Sequence, residues 1–153
     1  MNRLRKAALA LYAINVFFGM VVGVVYLSRS EFMPYHAEAA GMDWAQVPAN
    51  MRVLLLALIH MVGGLGLGVS AALAAILIFA FRRGEPWADW VVPTLLLPMQ
   101  MLALIVPLEV ALKTGAHTPW WGSLGGLCIT LVAMRLTASD RKRNLQASRA
   151  AAR

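Results

Sequence analysis

Among the side chains able to do chemistry inside the long apolar runs of this sequence are Asn15, His60, Gln100 and Glu109. Polar and ionisable groups at membrane depth are functional suspects by default, because lipid offers them no water. Histidine with a carboxylate suits zinc, copper or non-haem iron. An imidazole beside small residues suits a quinone headgroup or another apolar ligand, and Gly63, Gly64, Gly66 and Gly68 leave such space near His60. These four residues form the candidate ligand-binding set. His36, His117, Glu31, Glu38 and Asp43 fall in the loops on the same side, so a site drawn from all of them opens outward.

Spacing argues for plainer roles. HxxxH, ExxH and HExxH are absent, so no metal site is expected. Glu109 precedes Lys113 by four residues, the favourable order for a helical ion pair. His117 stands in a turn beside Thr118 and Trp120. Bis-histidine haem ligation needs two buried imidazoles, and His60 alone qualifies. A hydrogen bond across a helix bundle, to Gln100 or to a carbonyl freed by Pro98 or Pro107, accounts for His60. Asn15 and Gln100, both near mid-span, are expected to bond to each other, worth roughly 0.6–2 kcal/mol. Cys128 is the single cysteine, which excludes a CxxC dithiol centre. Neither an internal repeat nor a mid-membrane charge points to a secondary transporter.

The elements that position these residues follow from the apolar runs. Of 153 residues, 60% are apolar and 14% charged, more apolar surface than a small soluble domain can hide. The runs reach the ~20 residues needed to cross ~30 Å of hydrocarbon. Four spans are predicted, over 7–27, 53–81, 91–112 and 120–136, making an all-α integral membrane four-helix bundle over 1–138. A basic tail, 139–153, follows. The first run is too long for a signal-peptide core, and Ser28-Arg29-Ser30 makes a poor cleavage site, so it reads as an uncleaved span. Between the first two spans, Pro34 to Ala40 reads as a short helix stopped by Gly41, and Asp43 with Gln46 resembles a capping box.

Charge orients the spans. The net charge of +7 sits at span ends, which argues against a nucleic-acid partner and for the lipid bilayer. Arg3, Arg5, Lys6, Arg82, Arg83, Arg135, Arg141, Lys142, Arg143, Arg149 and Arg153 fall on one side, and Arg29, Arg52 and Lys113 on the other. Both termini are therefore expected to be cytoplasmic. The tail is expected to adhere to anionic lipid.

Close packing in lipid depends on small residues and polar links. Asn15, Gly19 and Gly23 form one stripe, His60, Gly64, Gly68 and Ala72 a second, and Gly122, Gly126 and Thr130 a third. Span three instead carries Pro93, Pro98 and Pro107, with Pro93, Gln100 and Pro107 near one face.

One span, an outer loop with a short helix and three further spans resemble small bacterial membrane proteins of the DoxX-like type. The segment Ser30-Glu31-Phe32-Met33-Pro34-Tyr35-His36-Ala37 and the turn Thr118-Pro119-Trp120 look like features of uncharacterised members. The resemblance implies a four-helix fold; some proteins similar to DoxX are quinone-reductase subunits, and others have no known activity. No catalytic residue is carried over. Eleven arginines to three lysines fit a GC-rich bacterial genome, hence the inner membrane. The expected role is a non-catalytic accessory or scaffold subunit, working as a homo-oligomer or with a membrane protein partner and without a cofactor. The alternative is a redox or ligand-handling subunit that binds a quinone or similar molecule near His60.

Overall fold

A computed structural model describes residues 1–151; Arg153, counted above among the cations, lies outside the described residues. The chain forms α1 (Arg3–Leu27), α2 (Pro34–Ala40), α3 (Ala49–Phe79), α4 (Ala88–Thr114) and α5 (Trp120–Ala151), with 3-10 turns at Trp44–Gln46 and Phe81–Arg83. Four of these helices, α1, α3, α4 and α5, are long and apolar enough to cross a membrane. Their apolar residues go all the way round rather than forming one stripe, as in helices surrounded by lipid.

Local chemistry sets the helix ends. The Asn2 side chain caps α1, accepting the Arg5 amide N–H at 3.0 Å, one of the donors a helix start leaves free. Gly115, at φ 77°, ends α4 in the left-handed conformation that other residues avoid. The expected loop helix is present as α2, which Gly41 terminates at φ 64°. Behind it, Gln46 Oε1 accepts the Asp43 N–H at 2.9 Å.

α5 differs most from the expected boundaries, running on without a break to Ala151 rather than stopping near 136. No glycine or proline follows Gly126. Alanine and arginine, both strong helix formers, dominate the tail, and Asp140 is held at the bundle's end.

α1 is the central element, packed along α3 on one side and α5 on the other, while α4 lies against α5. α3 and α4 meet sparsely. The main core gathers at the end carrying the termini, where Ala8, Tyr12, Leu73, Leu77, Phe81, Val92 and Ala133 pack together. A smaller core of Phe32, Val47 and Ile59 closes the opposite end beneath the loop. The buried residues of α4, namely Ala88, Val92, Pro93 and Leu96, all lie in its first third. Beyond Leu96 the helix is half-buried or exposed.

The tightest contact joins α1 to α3. A Cβ on Gly23 would stand 2.9 Å from the Leu67 amide nitrogen and 3.0 Å from the Gly63 carbonyl oxygen. One on Gly63 would stand 2.9 Å from both the Gly23 oxygen and the Leu27 nitrogen. Backbone therefore touches backbone here, the arrangement small residues permit in membranes. Gly19 continues the contact, against the Ser70 hydroxyl. On α3 the approach runs through Gly63 and Ser70. Gly64 only grazes the Leu27 side chain at 3.9 Å, and a Cβ on Gly68 would meet nothing within 4 Å. On α5, Gly122 faces open space, whereas Gly126 is enclosed by two amide side chains.

Candidate functional site

A buried polar cluster lies where the start of α1 meets α4, α5 and the turn after α3. Arg5 sits one turn into α1 and is 8% exposed. Its Nη2 donates to Asp89 of α4 at 2.8 Å, and its Nε donates to the Phe81 carbonyl at 3.0 Å. Nη1 faces Asp140 Oδ2 of α5 at 3.6 Å, and the Asn2 amide donates to the other oxygen of Asp140. Asp140 is 2% exposed. The guanidinium also stands 4.4 Å above the Phe81 ring, whose edge meets Tyr12 at 5.6 Å. One guanidinium thus ties α1, the turn after α3, α4 and α5 together, at a planar fork suited to two carboxylates.

In the sequence Arg5 reads as one of the topological cations, and nothing in the spacing pairs it with Asp89 or Asp140. A signal was available. Asp89 and Asp140 are acids at span ends on the cation-rich side, and Thr130, Ala133, Thr137 and Asp140 recur at helical spacing along one face of α5. All four are buried.

A second cluster lies near the middle of the bundle. Asn15 Nδ2 donates to the Thr130 hydroxyl at 3.0 Å and to the Gly126 carbonyl at 3.2 Å. Gln100 approaches from α4: a Cβ on Gly126 would stand 3.1 Å from Asn15 Oδ1 and 3.2 Å from Gln100 Nε2. The two amides expected to bond to each other instead converge on Gly126, and Asn15 bonds to α5. The reason is geometric, since α1 and α4 each pack on α5 and scarcely touch one another. Gln100 Oε1 is buried without a hydrogen-bond partner among the described residues, as is the Tyr12 hydroxyl. Replacing Asn15 with leucine should lower stability by about 0.6–1.7 kcal/mol, the usual range for an interhelical hydrogen bond in lipid. Unfolding of the purified variant in mild detergent measures this, and no change would mean that the amide only fills space.

His60 belongs to neither cluster. Its Nε2 donates to the Arg29 carbonyl at 2.8 Å, just past the end of α1, rather than to Gln100 or a carbonyl freed by proline. Glu109 pairs with Lys113 on the exposed surface of α4. The four candidate ligand-binding residues are thus divided among three places. Among the described residues, no three His, Cys, Asp or Glu side chains gather as a metal ligand set.

The loop end is held by polar links of its own. The Tyr26 and Tyr35 hydroxyls bond to each other, and burial raises the Tyr35 phenol above its ordinary value. His36 Nδ1 accepts the Met33 N–H at 3.2 Å, and burial lowers its imidazole pKa. Glu38 of α2 reaches the turn between α4 and α5, where it accepts the His117 amide N–H at 2.9 Å and His117 Nδ1 at 2.6 Å. The hydrogen bonds from His117 hold the Glu38 carboxyl below its ordinary pKa, and Glu38 raises that of His117. Thr118 secures the same turn by donating to the Pro107 carbonyl at 2.7 Å.

This pair has a definite pH window. The contribution of Glu38 is present above its ordinary value of 4.5 and is lost as pH falls through its lowered value. That of His117 is complete below 6.5 and is lost as pH rises through its raised value. Proteolysis within α2 should therefore be slowest between about pH 4.5 and 6.5 and faster on either side. His117→Ala should remove the alkaline limb, and an unchanged pH profile in that variant would contradict the assignment.

Compared with known proteins, the chain matches no family model, no curated protein and no solved structure.

Proposed function

We propose that this chain is a four-span membrane scaffold, a non-catalytic accessory protein that works with a membrane partner or as an oligomer. In this reading both termini face the cytoplasm of a bacterium and the loop carrying α2 faces outward. One observation carries it: Arg5, Asn15 and His60, three of the polar side chains at the helix contacts, each join one part of the chain to another. Polar groups arranged in this way serve the architecture of a bundle. The eleven-to-three division of cations supports the orientation.

Two measurements test the reading. Reporter fusions at Gly84 and Gly115 should fall on opposite faces of the membrane, with Gly84 on the side of the termini. Protein purified in detergent should be colourless and free of bound metal and quinone, and His60→Ala should leave cellular function intact. A stoichiometric quinone lost on His60→Ala would replace the scaffold with the ligand-handling alternative.

A further inference from the structure

α4 presents a face that none of the other helices covers. Thr94, Pro98, Met101, Ile105, Glu109 and Leu112 recur at helical spacing along it, and all are exposed. Two features set this face apart from an ordinary lipid-facing surface. First, Pro98 has no N–H to return to the Thr94 carbonyl, so that acceptor loses its helical partner at the start of the exposed stripe. The Thr94 hydroxyl does not compensate, because it donates back to Trp90 at 2.8 Å. A backbone carbonyl freed by proline is tolerated within a bilayer when neighbouring protein or water covers it. Second, the stripe ends in the exposed pair Glu109 and Lys113, one charge of each sign separated by one helical turn.

We propose that this face of α4 is the contact between two copies of the chain. A two-fold axis normal to the membrane sets the two α4 helices parallel and side by side. Each copy then offers the same patch to the other. Glu109 of one copy lies within reach of Lys113 of the second, and the reverse, so the patch complements itself in charge. The paired helices shield the Thr94 carbonyls from lipid. The inference rests on the membrane reading above and supplies its oligomer with a surface.

The test is disulfide trapping in native membranes. In a Cys128→Ser background, which removes the single native thiol, cysteine is placed at Met101 or Ile105. As controls it is placed at Phe17 of α1 or Leu65 of α3, which are 63% and 64% exposed on other surfaces. Mild oxidation should give a covalent dimer from the α4 positions and none from the controls. Glu109→Lys should abolish the dimer band, and adding Lys113→Glu should restore it, since the exchanged pair is again self-complementary. Equal trapping at Phe17, a band indifferent to the charge changes, or an adduct with a different protein would each overturn the proposal. Protein that resists carbonate washing but yields no dimer would overturn the interface alone; protein released by the wash would overturn the membrane reading with it.

Discussion

Replacing Arg5 with methionine should destabilise the protein by about 3–5 kcal/mol, the cost of removing one member of a buried ion pair. The loss comes less from the missing attraction than from what remains. Asp89 and Asp140 would be left as two carboxylates in one buried place, with Asn2 the only remaining side-chain donor to either of them among the described residues. The Phe81 carbonyl would also lose its Nε donor. Because the guanidinium touches four segments, the helices should loosen together rather than one at a time. Intrinsic tryptophan fluorescence during unfolding in mild detergent would follow this. Neutralising the acids as well, with Asp89→Asn and Asp140→Asn on Arg5→Met, should recover much of the loss. If Arg5→Met were as stable as the parent, the cluster would be incidental.

The second large effect is expected at the crossing of α1 and α3. Gly63→Ala places a methyl group 2.9 Å from two backbone atoms of α1 and 2.8 Å from the Tyr26 Cβ. Backbone cannot rotate away as a side chain can, so the helices must separate. A cost of about 1–3 kcal/mol follows from overpacking, and Gly63→Leu should exceed it. Gly68→Ala supplies the contrast, for its methyl group enters open space. It should be neutral, or stabilising by up to about 1 kcal/mol through helix propensity. Equal losses at Gly63 and Gly68 would mean that the helices do not cross where the glycine contacts place them.

The pair Gly63 and Gly68 also illustrates what was legible in the sequence. Run length alone marked out four long helices, because an apolar run of that length has few other solutions. The loop helix was equally legible, from Pro34 at its start and Gly41 at its end. The contact face of α3 was not. Gly63, Gly64, Gly66 and Gly68 place small residues on several sides of one helix, and Ser70 was the clue that singled out the face through Gly63. Arg5 was obscured for a different reason. A cation at a span end fits the charge rule whether it is solvated or buried, and only the fold shows which carboxylates meet it. The Asn15–Gln100 expectation identified the right pair of amides but not Gly126 between them, since depth in the bilayer does not specify azimuth around a bundle.

The sparse contact between α3 and α4 has a mechanical consequence. Each of the two helices is held in the bundle mainly through α1 or α5 rather than through the other, so the exposed apolar side chains along their seam have to be covered by something apolar. In the membrane reading proposed above, that cover is hydrocarbon tails, and the annular lipid becomes part of the tertiary structure. The load on the Glu38–His117 link, which ties α2 to the turn between α4 and α5, should then follow lateral pressure and chain length in the leaflet on that side.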